Sequence, residues 1–253
     1  MLAKRLIACL DVRNGCVVKG VNFEGLRQAG DPAELATRYN QEGIDELTVL
    51  DVTATLEGRR ALVETIRQVS RQIFIPLAVG GGIRSVDDAR AVIDAGADKV
   101  SLNSAALENP AIVTEVAQIY GSQAVIVAID AKRADGRFEV FGRSGTSREP
   151  REAVAWAREA EQRGAGEILL TSIDRDGTRS GFDCELTAQV SRAVQIPVIA
   201  SGGAGLPEHF LDVFSAGRAD AALAASIFHF SEHAVRDLKV FLADRGVPMR
   251  LDW

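Results

Sequence analysis

The strongest constraint on the fold is an internal repeat of nearly half the chain length. The segment IPLAVGGG at 75–82 returns as IPVIASGG at 196–203, so that positions 81 and 202 are offset by 121 residues in a chain of 253. Each copy continues through a helical pattern and a second apolar run to a hydroxyl residue, Ser104 or Ser226. A long-period repeat is typical of a fold assembled from like units. The chain is therefore expected to consist of two similar halves.

Short apolar runs alternate with longer amphipathic ones through both halves. The apolar runs are rich in Val, Ile, Leu and Ala and mostly lack polar alternation, which is typical of strands buried on both faces. The predicted strands are 5–10, 46–50, 75–79, 99–102, 124–129, 167–171, 197–201 and 221–224. The predicted helices are 32–42, 59–72, 86–95, 110–120, 152–163, 184–193, 207–216 and 232–244.

Eight strand–helix units favour an α/β fold, the (β/α)8 TIM barrel, with a twofold half-barrel internal repeat. A doubly wound open sheet fits the same alternation, but two four-unit halves close on each other more naturally as a barrel. We expect one domain over 1–253, with half-barrels of about 1–121 and 122–253, because no composition shift marks a boundary. Two long connections follow predicted strands: a glycine-rich loop at 12–31, and 131–150, where Asp135-Gly136 signals a β-hairpin.

Composition argues against several classes of partner. A net charge of −6 lacks the basic balance that nucleic-acid binding needs, and no apolar run is long enough to span a membrane. Cys9, Cys16 and Cys184 have no CxxC spacing, which indicates reduced thiols in a cytoplasmic protein. His229 and His233 lack a third ligand, so no metal site is expected.

Two aspartates occupy matched positions in the halves. Asp11 and Asp130 each end a predicted strand and open one of the long connections. In a barrel these positions lie at the C-terminal mouth, where barrel enzymes keep their catalytic residues. Two carboxylates that face each other across a substrate can divide the acid and base roles. Either aspartate alone is explained as well by loop capping, but the matched pair favours catalysis.

The repeated glycines predict two phosphate sites. Glycines at 80–82 and 202–203 let backbone N–H groups approach an anion closely, and the hydroxyls of Ser104 and Ser226 add donors. Asp176-Gly177 supplies another tight turn beside the second site. The alternative is a set of tight turns without a ligand. That alternative suits a single glycine pair better than a duplicated set with matched hydroxyls.

Four charged residues begin predicted strands at the opposite, N-terminal face: Arg5, Glu46, Lys99 and Glu167. They form either a solvated rim or an inward-directed ring of ion pairs, and their spacing alone leaves both arrangements open. Burying four charges for stability alone is unfavourable, because desolvation offsets much of the attraction. A buried ring would therefore indicate a function such as a gate.

The whole chain resembles one family, the cyclase subunit of imidazole glycerol phosphate synthase from histidine biosynthesis. The similar stretches are ACLDV at 8–12, VVKG at 17–20, VGGGI at 79–83, AIDAK at 128–132, LTSIDRDGT at 170–178 and ASGG at 200–203. The resemblance implies an enzyme without a cofactor that uses ammonia. Its substrate would be the phosphoribulosyl-formimino derivative of aminoimidazole carboxamide ribonucleotide (AICAR), a bis-phosphate, and its products imidazole glycerol phosphate and AICAR.

The resemblance also implies roles for residues. Asp130 and Asp11 would be the general acid and base. Residues implied to bind the substrate or its phosphates are Lys19 on a closing loop, Gly82, Asn103, Ser104, Thr171, Asp176, Gly177, Ser201, Gly203, Ala225 and Ser226. Ammonia would come from a glutaminase partner at the N-terminal face, through a gate formed by Arg5, Glu46, Lys99 and Glu167. Asp98 would belong to that interface, and the Ile73-Phe74 pair is a candidate either for the interface or for burial.

Two rival interpretations remain at this point. The sister isomerase of the same pathway is also a half-repeat barrel with two phosphate sites and paired acids, but it needs no ammonia. The charged floor residues and the stretch DRDG at 174–177 favour the cyclase. The second rival is a non-catalytic barrel that only supports the glutaminase. The intact Asp11 and Asp130 argue against it.

Overall fold

A computed structural model describes residues 2–21, 24–51, 63–142, 145–229 and 234–252, without the side chains of 19–29 and His229. The described strands are β1 (Arg5–Arg13), β2 (Cys16–Val21), β3 (Glu24–Gly30), β4 (Glu46–Asp51), β5 (Leu77–Gly80), β6 (Lys99–Leu102), β7 (Val125–Ala134), β8 (Arg137–Gly142), β9 (Ser147–Glu152), β10 (Glu167–Ser172), β11 (Val198–Ser201) and β12 (Ala221–Ala224). Eight of them pair in parallel in the order β1-β4-β5-β6-β7-β10-β11-β12, and β12 pairs with β1 to close the barrel. The predicted TIM-barrel fold is confirmed.

Helices connect successive barrel strands. They are α1 (Pro32–Gln41), α2 (Val63–Ser70), α3 (Val86–Asp94), α4 (Ser104–Glu108), α5 (Ala111–Tyr120), α6 (Ala153–Gln162), α7 (Cys184–Ala193), α8 (Pro207–Ser215), α9 (Ser226–His229) and α10 (Val235–Ala243). Local signals set several starts: the Asp31 carboxylate accepts from the N–H groups of Ala33 and Glu34, and Ser85 accepts from that of Asp88. Among the described residues, no helix has the length and apolar character that a membrane span requires.

The predicted elements differ from the structure mainly at their ends. Strands predicted from 75 and 197 begin at Leu77 and Val198, because the prolines just before these residues have no N–H to donate to a ladder. The one-turn helices α4 and α9 were not predicted, since they are too short to show a periodic pattern. The helices predicted at 59–72 and 232–244 start outside the described residues.

The loop predicted at 12–31 is wrong, because this segment forms an antiparallel hairpin. β1 continues to Arg13, turns at Asn14-Gly15 and pairs with β2, which pairs with β3. Positive φ angles of 50° at Asn14 and 77° at Gly15 suit the two-residue turn that Asn-Gly favours. The hairpin predicted in the second half is confirmed, with φ angles of 48° at Asp135 and 78° at Gly136. Each half therefore carries a hairpin after its first strand.

The apolar core has two layers. The barrel interior holds a small cluster: Ile7, Cys9, Ala78, Ile126, Leu169, Ile199, Ala221 and Leu223. The larger layer lies between strands and helices and includes the fully buried rings of Tyr39, Trp156, Phe210 and Phe228. Because side chains fill the barrel interior, polar groups concentrate at its two ends.

The repeat is visible as matched backbone contacts at the mouth of the barrel. A Cβ on Gly81 would lie 2.3 Å from the carbonyl oxygen of Asp51, and one on Gly202 would lie 2.8 Å from that of Ser172. Both glycines have positive φ, 91° and 90°. Asp51 and Ser172 are themselves related by the repeat, so the same close approach holds the turn in each half.

We expect Gly81→Ala to lower the free energy of unfolding by about 2–4 kcal/mol, because its Cβ overlaps a fixed backbone carbonyl and its φ is unfavourable. The matched control is Gly136→Ala, where φ is +78° and no atom lies within 4 Å of the added Cβ. This control should lose only the free energy of about 1–2 kcal/mol that a positive φ costs a residue with a Cβ. Chemical denaturation of both variants measures the difference, and equal losses would contradict the steric explanation.

Candidate functional site

The carboxyl ends of the barrel strands surround a cavity of about 600 Å³. Most of the predicted catalytic and substrate-binding residues line it: Asp11, Gly82, Asn103, Ser104, Asp130, Thr171, Asp176, Gly177, Ser201, Gly203, Ala225 and Ser226. Lys19 lies in β2, and its side chain is outside the described part of the chain. The fold therefore brings residues from positions 11 to 226 into one cleft.

The barrel order puts matched residues on opposite sides of this cavity. β1 with Asp11 and β7 with Asp130 are four strand positions apart in a ring of eight. The glycine turns after β5 and β11 are likewise four positions apart, as are the ends of β6 and β12 that precede Ser104 and Ser226. An elongated ligand lying across the mouth would have one glycine turn at each end and one carboxylate on each side.

Asp130 is a half-buried carboxylate that has no cationic partner in the described part of the chain. Asn103 Nδ2 donates to its Oδ2 at 2.9 Å, and the hydroxyl of Thr171, its register partner on β10, also donates to it. Burial raises the pKa of Asp130 to about 6 and nearby Asp176 adds to the rise, while these two hydrogen bonds act against it. At neutral pH this group can both release and take up a proton.

Asp11 has a different environment. It lies at the far side of the cavity, where the Sγ of buried Cys9 contacts its Oδ1 at 3.3 Å. Cys9 belongs to the apolar interior layer, so Asp11 stands directly above the barrel core. Asp11 and Asp130 therefore face the cavity from different environments. Different environments can separate the pKa values of two carboxyl groups, as an acid and a base require.

The glycine turns are built for close backbone approach. Gly82 and Gly203 follow Gly81 and Gly202 and also have positive φ, 71° and 101°. A Cβ on Gly203 would lie 2.2 Å from the carbonyl oxygen of Gly181, so only glycine fits there. Such turns present N–H groups to an anion without side-chain obstruction.

Sequence reasoning missed several residues that line the cavity. Arg84 and Arg179 bring positive charge beside the two sets of glycines, and Asp51 and Glu108 bring negative charge. The arginines could have been found by position, since each follows a glycine of a predicted phosphate turn, Gly82 or Gly177, by two residues. Asp51 directly follows the predicted strand 46–50, as Asp11 follows 5–10, whereas Glu108 had no comparable signal.

The four charged residues at the N-terminal face form an inward ring of ion pairs, so the solvated-rim alternative is wrong. Arg5 Nη1 lies 2.8 Å from Glu46 Oε2 and 2.9 Å from Glu167 Oε1. Lys99 Nζ lies 2.9 Å from Glu46 and 3.2 Å from Glu167. Glu46 is almost fully buried, and burial raises the pKa of its carboxyl. The ring closes the end of the barrel opposite the cavity.

Three other residues predicted at the N-terminal face, Asp98, Ile73 and Phe74, have different environments. The exposed Asp98 accepts a hydrogen bond from the Leu77 N–H at 2.9 Å, which fixes the start of β5. The Ile73-Phe74 pair is split: Ile73 is 8% exposed and belongs to the core, whereas Phe74 is 95% exposed. Only the second of the two is available at the surface.

Comparison with known proteins decides the family. The histidine biosynthesis protein family matches residues 5–234. Imidazole glycerol phosphate synthase subunit HisF of Acidobacterium capsulatum is 64% identical over 251 residues, 99% of both chains. The protein of the same name from Pyrococcus furiosus is 55% identical over 252 residues, 100% of both chains. The chain belongs to the HisF family.

This membership confirms the resemblance stated from the sequence. HisF is the cyclase subunit in histidine biosynthesis, so the prediction of a cyclase enzyme is confirmed, rather than the sister isomerase or a non-catalytic support. The roles of individual residues remain predictions.

We expect Asp130→Asn to stabilise the fold at neutral pH. The carboxyl pKa rises from 3.8 in the unfolded chain to about 6 in the folded one, so stability falls as pH rises through that window and stays lower above it. At about 1.4 kcal/mol per unit, removing the ionised group should raise the free energy of unfolding by about 1–3 kcal/mol at neutral pH. The gain should shrink toward zero at about pH 4.

Urea titrations of wild type and variant at several pH values measure this gain. Asp98→Asn is the control, since it removes an exposed aspartate and should bring no comparable stabilisation. A gain of the same size at acid and neutral pH would contradict the explanation by ionisation.

Proposed function

We propose that the cavity catalyses the ammonia-dependent conversion of the phosphoribulosyl-formimino derivative of AICAR to imidazole glycerol phosphate and AICAR, with Asp11 and Asp130 as general base and acid. The observation that supports this best is the arrangement at the mouth: two carboxylates on opposite strands, between two repeat-related glycine turns, in one cavity. A substrate with a phosphate at each end matches that arrangement.

The two phosphate sites would act by orientation. One phosphate would bind at Gly82, Asn103 and Ser104, and the other at Gly177, Gly203 and Ser226. Holding both ends of the substrate fixes its reacting carbons between the carboxylates, which removes much of the entropic barrier to reaction. Thr171, Asp176, Ser201 and Ala225 would contact the body of the substrate, and Lys19 would close over it.

The carboxylates would move protons while bonds change. Ammonia adds to the substrate, one C–N bond breaks to release AICAR, and the imidazole ring closes. Each of these steps requires proton transfer to or from nitrogen or oxygen. With a pKa of about 6, Asp130 can supply a proton in one step and recover it in another. No step changes the oxidation state, so no redox cofactor is required.

We also propose a partner at the N-terminal face. The relatives carry the word subunit in their names, which supports an assembly with a second protein. A glutaminase docked there, with Asp98 and Phe74 at the contact, would deliver ammonia through the ring of Arg5, Glu46, Lys99 and Glu167 into the barrel. The small residues Ala78 and Ala221 in the apolar interior suit passage of a small neutral molecule. A cytoplasmic location, predicted from the sequence, is part of this proposal.

The acid–base assignment is tested with purified chain, the bis-phosphate substrate and ammonium salt, without a partner. Asp130→Asn and Asp11→Asn should each lower kcat by at least about 100-fold, since each removes a proton-transferring group. Asp98→Asn lies outside the cavity and should retain turnover. Near-wild-type turnover in either cavity variant would rule out the two-carboxylate mechanism.

The gate is tested by comparing two sources of nitrogen. Lys99→Ala opens one side of the ring and should change glutamine-dependent turnover with the glutaminase far more than ammonium-dependent turnover. Lys4→Ala is the matched control, because Lys4 lies on the same face but pairs with Asp220 outside the ring. Equal effects of Lys99→Ala on both nitrogen sources would refute gating.

A further inference from the structure

Asn103 occupies a helix-capping position but does not cap the helix. It is the residue before α4, where an asparagine side chain ordinarily accepts from a first-turn N–H, yet it makes no such bond. Its Nδ2 donates instead to Asp130 Oδ2 at 2.9 Å, across from β6 to β7. The backbone of Asn103 has the uncommon angles φ −124° and ψ −94°. The side chain is directed to Asp130 rather than to its own helix.

The second polar atom of this amide is also informative. Asn103 Oδ1 is buried and has no hydrogen-bond partner among the described residues. An unsatisfied buried acceptor is uncommon and costs free energy. Rotating the amide by half a turn would place Oδ1, in place of Nδ2, against the Asp130 carboxyl. That arrangement is unfavourable while Asp130 is ionised and favourable once it carries a proton.

Several other aspartates of this protein are held differently. Asp45 accepts from Lys239 Nζ at 2.6 Å, Arg250 Nε at 3.0 Å and the Leu6 N–H at 2.9 Å. Asp98 and Asp220 likewise accept from backbone N–H groups, at 2.9 and 3.1 Å. Ammonium, guanidinium and backbone N–H groups only donate, so they stabilise the carboxylate alone. The partners of Asp130, an amide and the Thr171 hydroxyl, can each donate or accept.

We propose that Asn103 and Thr171 are positioning residues that reverse their hydrogen bonds when Asp130 gains or loses its proton. With Asp130 ionised, Asn103 Nδ2 and the Thr171 hydroxyl donate to it. With Asp130 protonated, its O–H donates to Asn103 Oδ1, and the Thr171 hydroxyl can also accept. Both protonation states are thereby held in one geometry. The proposal rests on the proposed acid–base function of Asp130 and gives Asn103 a role beyond the predicted phosphate contact.

Other charged groups share the cavity and set the electrostatic background. Asp11, Asp51, Glu108 and Asp176 line it, as do Arg84 and Arg179, and the Cys9 thiol lies beside Asp11. Of the acidic groups, Asp176 acts on Asp130 in the direction that favours the protonated form. The reversible partners are what keep that form oriented.

A direct test follows the side-chain amide of Asn103 by NMR in 15N-labelled protein, with Asn103→Leu used to assign its signals. We expect the amide shifts to titrate with the same midpoint as the Asp130 carboxyl carbon, near pH 6, and to lose this dependence in Asp130→Asn. Amide shifts that stay constant while Asp130 titrates would overturn the proposal. So would an Asp130 that keeps one protonation state over the accessible pH range.

Kinetics with ammonium salt provide a second test. Asn103→Leu should lower kcat more than it changes KM but should move the pH limb governed by Asp130 only slightly, since both protonation states lose a hydrogen bond. A partner that only donates would instead leave the limb shifted upward by about one unit, which would contradict the reversal. Thr171→Val should act in the same way, whereas Thr171→Ser keeps the hydroxyl and should restore the wild-type kcat. A higher KM with an unchanged kcat would assign Asn103 to phosphate binding alone. The NMR titration needs no turnover, so it remains decisive even if Asp130→Asn proves active.

Discussion

Closure of the barrel by the pairing of β12 with β1 fixes the position of every polar group discussed above. The strands between are buried on both faces, so charged side chains are confined to the two ends. At one end, the strand register brings Arg5, Glu46, Lys99 and Glu167 into contact across the barrel axis. At the other, the same closure sets Asp11 opposite Asp130. Neither arrangement exists in an open sheet.

The carboxylates at the two ends of the barrel have opposite environments. Glu46 forms ion pairs with the guanidinium of Arg5 and the ammonium of Lys99. Its negative charge is therefore balanced, although burial raises its pKa. Asp130 has a neutral amide and a hydroxyl among its contacts, and its pKa rises to about 6. At the floor the carboxylates are paired with cations, whereas at the mouth the neutral partners of Asp130 let its carboxyl gain and lose a proton. Ionising Asp130 in the folded protein costs free energy, and such shifted pKa values are expected at catalytic sites.

The sequence predicted the fold well where the signal is local or repeated. Eight apolar runs located the barrel strands, and Asp135-Gly136 located a hairpin, since its turn conformation depends on two adjacent residues. The hairpin at Asn14-Gly15 carried the same kind of signal but was obscured by the surrounding glycines. α4 and α9 were missed because a single turn is held by its surroundings rather than by its own periodicity. The candidate site was found through the repeat and the family motifs, but Arg84 and Arg179 were not.

By itself, the sequence determined the eight-unit alternation, the two matched glycine turns and the pair of strand-ending aspartates, because these depend on residue type and spacing along the chain. Only the tertiary structure decided that the floor charges face inward and that Phe74 is exposed while Ile73 is buried. It also decided that the Asn103 side chain donates to Asp130 instead of capping its own helix. These outcomes depend on atoms far apart in sequence, such as Arg5 and Glu167, which are 162 residues apart yet lie 2.9 Å from each other. Distances of that kind are set by barrel closure and register, which no local pattern records.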